Sequence, residues 1–521
     1  MNVEIQAEQT QKDEKSLTER IVAVVSMPGS RYSAPPFDPS LQFPELGRLG
    51  FSVETDPTNQ VYSAIRETLR LLEMDPSHFG TRLWNPLRGI VRPGDHVVVK
   101  PNWVSHKHER NDTWEQIVTH GAVLRPILDY VQLALEGKGA ISVADGPMLD
   151  SDFARICQLT GANRLHDFYK HRSSVPIELL DLRSVLFETR NAVVIRRQKL
   201  PGDPRGSVAV DLGRRSALYG FKGEGRYYGA DYDMKEVNDH HRGELHEYLL
   251  SGTAMKADVI VDVPKLKSHH KVGVTLALKG VVGLNCGRNW LPHRTQGTPQ
   301  TGGDQFARSS YRQLLESWGV RTFEEASLRF PRVAPWCYRF AKHLGRMIFG
   351  ESTHTVRGGG WYGNDTLWRM VHDINRALTY GDGSGRLHDR PTKRRLCIVD
   401  GIIAGEGLGP VNASAVACGV IVAGQNPVAV DVVGAELMGF DFTQIPMLLE
   451  SFKPHALPLV DFMPSAIITR SNVPTWSGSI EKLRSACPFS FAPPLGWVDH
   501  IERRGRVNSR MLDGRATDGS K

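Results

Sequence analysis

Short β-branched runs recur along this chain, at residues 21–25, 96–100, 140–144, 257–263 and 395–399, and all but the first stop at proline or an acid. Each is too short for an ordinary globular helix and rich enough in Val and Ile to be buried as a strand. Helical patterns lie between them. One spans 61–74, with Ile65, Leu69, Leu71 and Leu72 on its apolar side, and others span 124–135 and 367–380. This alternation predicts an α/β fold with a mostly parallel or mixed sheet covered by helices. Such sheets bind ligands beyond the carboxyl ends of their strands, so the residues just after each run are where chemistry is expected.

The stretch after residues 257–263 is the most charged of these ends. Asp262-Val-Pro-Lys-Leu-Lys-Ser-His-His270 is followed by Lys271, Lys279-Gly280 and Gly283. Pro264 cannot donate to a continuing ladder, so pairing is expected to stop there. Lys265, Lys267 and Lys279 around one pocket suit a phosphate or carboxylate, because like charges this close are offset by an anion or by carboxylates from elsewhere. If 272–282 is helical, Thr275 and Lys279 share a face. His269 and His270 are adjacent and, in extended chain, point to opposite sides. With His293 they are the metal-ligand candidates, although no H-E-x-x-H or comparable spacing enforces convergence.

Acids and amides follow the other runs. Asp145, Asp400 and Glu406 each lie just past a predicted strand, Lys100 and Asn102 flank the end of another, and Asn412 lies beyond the Gly-rich loop 406–410. That loop is neither a Walker sequence nor G-x-G-x-x-G, so dinucleotide binding is not supported; its glycines present backbone N–H groups to a ligand or simply make a turn. Asp431, inside an apolar helical run, needs a partner. Asn426-Pro427 reads as that helix's cap and first residue, with Gly439 at its end. Cys286 is the thiol near the basic segment, where Arg288 and Lys279 can lower its pKa, but a lone cysteine without a base partner is expected to be inert rather than nucleophilic.

Composition narrows the classes. Hydrophobic residues at 40% and charged residues at 23% describe a globular protein, and no apolar run approaches the length that crosses a bilayer. The N-terminus lacks the apolar core of a secretory signal, so cytoplasmic residence is expected. Six cysteines form no C-x-x-C pair, which argues against a zinc ribbon, an iron–sulfur motif or a disulfide framework. The net charge of +7 is partly carried by the basic C-terminus, and no nucleic-acid-binding signature stands beside it. The expected organisation is a flexible tail 1–20, an α/β core over 21–286, a largely helical insertion over 287–365, a second core part over 366–475, and a Pro-rich basic extension over 476–521. Residues 172–248 have the pattern of an antiparallel excursion. Within the insertion, 311–318 and 333–349 read as helices; the second is apolar and basic, suited to packing on its own domain, to a protein partner or to a membrane surface.

Three signatures together resemble a known family. They are Lys100-Pro-Asn102, then Pro264-Lys-Leu-Lys-Ser-His269 with Leu278-Lys-Gly280 and Gly283, then Asp400-Gly401 with Glu406-Gly-Leu-Gly-Pro410 and Asn426-Pro427-Val-Ala-Val-Asp431. In order and wording they resemble the domain of unknown function 362 family over about residues 97–438. The resemblance implies an intracellular α/β protein and brings no established reaction. Many members carry a ferredoxin-like module or cluster-binding cysteines; this chain has no C-x-x-C-x-x-C, so a cluster is not carried over. The family commonly has Asn after the equivalent of Lys279, where this chain has Gly280.

The leading expectation is an enzyme that binds a small anionic metabolite through Lys100, Asn102, Asp145, Lys265, Lys279 and Asn412. Lys267, His269, Asp400, Glu406 and Asp431 would supply acid–base or metal-assisted isomerase, lyase or transferase chemistry rather than nicotinamide-dependent hydride transfer. A divalent metal is compatible with this expectation. A non-catalytic anion-binding or assembly protein and a metal or iron–sulfur redox protein stay open as alternatives.

Overall fold

The computed structural model describes residues 18–108, 113–190, 193–230, 233–308, 319 and 358–503. Its first strands are β1 (Ile21–Ser26), β2 (His96–Pro101), β3 (Ala140–Asp145) and β4 (Ile177–Asp181). β5 (Val185–Arg190) and β6 (Val193–Lys199) form a separate antiparallel pair. β7 (Ser207–Asp211), β8 (Tyr227–Tyr228), β9 (His241–Arg242) and β10 (Leu245–Ser251) follow, with β7, β10 and β9 forming a small antiparallel sheet. The antiparallel excursion is therefore present, but it begins after β4, which continues the main sheet in parallel with β3.

The site-bearing strands are β11 (Val259–Val263), β12 (Lys265–His269) and β13 (Gly273–Thr275). After β14 (Arg294–Thr295), which pairs with β8, come β15 (Arg394–Leu408), β16 (Asn412–Gly424), β17 (Ile468–Ser471) and β18 (Gly478–Ser479). The main sheet is mixed and has eleven strands, in the order β18-β17-β1-β16-β15-β11-β2-β3-β4, with β12 and β13 attached through β15. From β15 to β4 neighbouring strands are parallel. β15 and β16 form a long antiparallel hairpin.

Alternate side chains of one strand enter opposite cores, as the pleat requires. Ile21, Ala23 and Val25 of β1 join the apolar cluster that also holds Val61 and Ile65 of helix Gln60–Leu71 and Leu124 of helix Gly121–Leu135. Val22 and Val24 join the cluster with Ile374 of helix Leu367–Tyr380 and Val430 of helix Pro427–Leu437. β11 is buried throughout, as a central parallel strand covered on both faces must be. The expected cap is observed: Asn426 accepts N–H bonds from Val428 and Ala429, Pro427 is the first helical residue, and Gly439 has φ +84° just beyond the end.

Three expectations are corrected. Pairing between β11 and β2 does end at Val263 opposite Pro101, but the chain continues past Pro264 as β12, paired in parallel with β15. The Glu406–Pro410 stretch is the end of the β15–β16 hairpin rather than a ligand loop after a short strand. Residues 272–282 are not one helix: β13 is followed by a short helix, Ala277–Gly280, and a 3-10 turn, Val281–Leu284. Of the expected insertion, residues 287–308 pack as turns and β14, while the helices read at 311–318 and 333–349 lie outside the described residues. Among the described residues, no helix is long and apolar enough to cross a membrane.

Candidate functional site

The carboxyl ends of β2 and β3 place a cation against an acid. Lys100 Nζ lies 3.0 Å from Asp145 Oδ1, with both side chains nearly inaccessible, and donates to the Pro101 carbonyl at 2.6 Å. Asp145 also accepts from Trp103 N at 2.7 Å and Gly146 N at 2.8 Å. Gly283 lies directly against this pair. A Cβ there would stand 1.9 Å from Asp145 Oδ1 and 2.7 Å from Lys100 Cε, so only glycine fits.

A second buried pair lies between β12 and β15, where Lys265 and Asp400 are register partners. Their charged atoms are 2.9 Å apart and both side chains are fully buried. Tyr32 closes the arrangement: its hydroxyl accepts from Lys265 Nζ and donates to Asp400 Oδ1, each at 2.7 Å. His120 N–H also donates to Asp400, at 3.1 Å, and the His120 ring stacks on Tyr32. Burial holds the Lys265 amine below its ordinary pKa, although Asp400 opposes that effect. Asp400 was expected past a strand's end and instead lies inside β15, which runs on to Leu408.

Strand alternation puts Lys265, Lys267 and His269 on one face of β12. Lys267 Nζ donates to the carbonyls of Ile117, at 2.6 Å, and Pro410, at 3.2 Å. Burial, and next the charges of Lys265 and Lys279, push its pKa well down. Opposite Lys267 on β13 stands Thr275, whose buried hydroxyl has no hydrogen-bond partner.

Lys279 and Lys271 differ from these engaged amines. Both are half-buried, and neither amine has a hydrogen bond or ion pair among the described residues. Burial and then Arg288 and Lys100 lower Lys279 to about 8, with Asp145 opposing. Burial and then Arg294 lower Lys271 to about 7. The carboxylate acting on Lys271 is Asp304, which already accepts from Thr295 N, Asp365 N and both the N–H and hydroxyl of Thr366.

His269, His270 and His293 are held toward their neutral forms. Burial is the main cause of their lowered pKa values; the next is Lys279 for His269 and Lys271 for His270 and His293, with His270 at about 4. A carbonyl can only accept, so His293 Nδ1 donates to Leu291 O and its Nε2 is left as an acceptor. His269 Nδ1 accepts from Lys271 N–H, which places its proton on Nε2. His269 and His270 do not diverge as expected. Their rings stack at 5.1 Å, because His270 lies past the end of β12, where alternation no longer holds. Among the described residues no three His, Cys, Asp or Glu side chains converge as a metal set.

Other candidates are held elsewhere. Glu406 accepts from Ala492 N, and Asp431 accepts from Ala277 N and Leu278 N. Asp431 therefore holds the start of helix Ala277–Gly280, which positions Lys279. Asn102 is half-buried, with a sealed and unpartnered Oδ1, and Asn412 begins β16 at the hairpin tip. In the Gly-rich turn, Gly407 N donates to Ala492 O and Gly409 N to Gly407 O, so these glycines serve the turn. Burial pushes Cys286 up to about 12, which suits an inert thiol rather than a nucleophile. Sequence reasoning passed over Tyr32, which sits in a loop without periodicity, and left Lys271 out of the site although it adjoins the basic run.

Comparison with known proteins gives one family match. The model of the family described as a domain of unknown function, number 362, matches residues 182–436. Over those residues the chain matches this family. The match includes β12, Lys279, Asp400 and Asp431, and begins later than the expected residue 97, so Lys100, Asn102 and Asp145 stand outside it. No curated protein matches. A solved protein from Thermotoga maritima is similar over 68% of this chain at 11% identity, with a TM-score of 0.29; the chain spans 54% of that protein's length.

One further acid lies against Gly280. Asp262 is fully buried and neither of its oxygens has a hydrogen bond. Burial raises its pKa to about 7, against the pull of Lys100 and Arg395. A Cβ on Gly280 would lie 3.2 and 3.3 Å from the two Asp262 oxygens, and the backbone there is α-helical, which any residue adopts. An Asn at 280 would bring an amide donor to that carboxylate. Because folding raises this pKa, stability falls as pH rises from about 4 to about 7. Gly280→Asn is expected to add about 1 kcal/mol of stability at pH 8 and less at pH 5, as measured by urea unfolding. A loss at both pH values would contradict the pairing.

Proposed function

We propose that the cluster of cations around Lys279, near the carboxyl ends of β2 and β3, binds a small anion, the phosphate or carboxylate group of a metabolite, and that the protein is an enzyme moving protons on that ligand in an isomerase, lyase or transferase reaction. The observation that carries this reading is the partner-free amine of Lys279 beside Arg288, Lys100 and Lys267. The carboxylate that reaches it, Asp145, is already shared by Lys100 and two amides. Half-buried cations in such excess are stabilised by an anion that accepts their hydrogen bonds. An amine at about 8 also titrates close to neutral pH, where proton transfer is most effective. The acid–base form is favoured over the metal-assisted one, because among the described residues the histidines do not gather with carboxylates into a ligand set.

Thermal unfolding in sulfate tests the reading, since sulfate does not titrate near neutral pH. At tenfold its dissociation constant it is expected to raise Tm by about 1–2 °C at pH 7. Lys279→Gln, which keeps a flexible polar side chain one atom shorter and removes its charge, is expected to abolish that rise. A variant that keeps the full rise would remove Lys279 from the site.

A further inference from the structure

We propose that a cavity at the carboxyl ends of β1 and β17 binds the free zwitterion of an α-amino acid with an apolar side chain. Its lining residues are not those of the cluster around Lys279, so it stands independently of the anion-binding reading.

The cavity has a volume of about 260 Å³, near the lower end of ordinary ligand pockets and far more than a single water needs. Its place follows from the topology. β1 and β17 are parallel neighbours, and the chain leaves them toward opposite faces of the sheet. Helix Gln60–Leu71, after β1, puts Val61 and Ile65 into one core. Helix Ile480–Ala486, reached from β17 through β18, puts Ile480 and Leu483 into the other. Such a divergence opens a crevice outside the carboxyl ends of the strands, where α/β sheets bind ligands. Val25 and Met27 at the end of β1 and Asn472 just past β17 line it, together with Ser63, Arg66 and Glu67 of helix Gln60–Leu71. Phe43 adds to the apolar wall.

The polar walls are held in place by contacts of their own. Asn472 ties the two strand ends together, accepting from Ser26 N and donating to Ser26 O, each at 2.9 Å. The Arg66 guanidinium lies 4.5 Å from the centre of the Phe43 ring, 4.6 Å from Phe79 and 4.8 Å from Trp84. It gives Nε and Nη2 to Glu45 at 2.6 and 3.2 Å, which leaves Nη1 as the edge for a ligand. Glu67 accepts from Arg70 at 2.7 and 2.5 Å, and its side chain is still 30% exposed. The Ser63 and Ser40 hydroxyls share one hydrogen bond at 2.6 Å, so the second hydroxyl proton is available for donation.

The charges select the ligand. Arg66 with Glu45 and Arg70 with Glu67 are balanced pairs, so a ligand of net charge would bring an uncompensated charge into the cavity. A zwitterion brings none. Its carboxylate fits Arg66 Nη1 and a serine hydroxyl, its ammonium fits Glu67 and the Asn472 side-chain oxygen, and its apolar side chain fits Val25, Met27 and Phe43.

Calorimetric titration of L-leucine, L-methionine and L-phenylalanine into the full chain tests the assignment. At least one is expected to bind saturably, and about tenfold more tightly than its analogues lacking the ammonium or the carboxylate, which for L-leucine are isocaproate and isoamylamine. Glu67→Gln, at a part-exposed position, should weaken the amino acid by about tenfold and leave its deaminated analogue unchanged. Ser63→Phe, which fills the cavity, should abolish binding, and sulfate should not compete. No saturable binding of any of the three, affinity for the analogues equal to that for the amino acid, binding that Glu67→Gln leaves unchanged, or competition by sulfate would overturn the proposal.

Discussion

Replacing Asp400 with alanine is expected to lower the unfolding free energy by about 3–5 kcal/mol, the usual consequence of removing one partner from a fully buried ion pair. The loss follows from what Asp400 holds. Its oxygens lie 2.9 Å from Lys265 Nζ and accept from Tyr32 OH and His120 N, and each of these groups is then left in the interior without its acceptor. The charge on Lys265 is the largest part, because its side chain is sealed and no other carboxylate bonds to it among the described residues. The double variant Lys265→Met/Asp400→Leu removes both charges and is expected to recover most of the loss. Urea unfolding of the single and double variants checks this. A single variant within 1 kcal/mol of wild type would show that the pair does not hold the strands together.

Gly283→Ala is expected to cost about 3 kcal/mol or more, through the other buried pair. The added methyl would occupy the position of Asp145 Oδ1, 1.9 Å away, and would crowd Lys100 Cε and Nζ at 2.7 and 2.9 Å. Either the pair separates or the turn Val281–Leu284 moves away and takes the adjoining helix and Lys279 with it. The expected signature is loss of stability together with loss of the sulfate-induced rise in Tm. Gly287→Ala is a poor control, because a Cβ there also clashes, 2.8 Å from Leu249 Cβ; Gly89→Ala, where no atom lies within 4 Å, is the suitable one. Equal stability of Gly283→Ala and Gly89→Ala would contradict the proposed packing.

Much of the fold is legible because its strands are short apolar runs with clear stops and because Asn426-Pro427 states a helix start in local chemistry alone. Local reading fails where tertiary pairing overrides it. Pro264 removes one donor, yet β12 forms because its other neighbour, β15, continues beyond the stop that Asp400-Gly401 suggests. At the site, the pairing of Lys100 with Asp145 follows from strand ends meeting in a parallel sheet, whereas Lys265 and Asp400 meet as register partners at the start of β12 and inside β15. Tyr32 was not legible in the same way, because its bond to Asp400 spans 368 residues and its loop has no pattern. Asp431 misled for the opposite reason: a buried acid in a helical run suggests chemistry, and its partners are backbone amides that no side-chain pattern reveals.

The pH dependence of this account has a definite sign. Lys279 falls from an ordinary 10.5 to about 8 on folding, so the unfolded chain holds its proton where the folded protein releases it. Stability from this group therefore rises with pH between about 8 and 10.5, and below about 8 the buried charge costs stability that an anion can offset. Calorimetric titration of sulfate into wild type and Lys279→Gln at pH 6 to 9.5, in buffers of different ionisation enthalpy, measures this most directly. The account predicts binding with proton uptake that is greatest near or above pH 8, affinity that falls as pH rises further, and neither effect in Lys279→Gln. Sulfate binding that is independent of pH, takes up no proton and survives in the variant would contradict it.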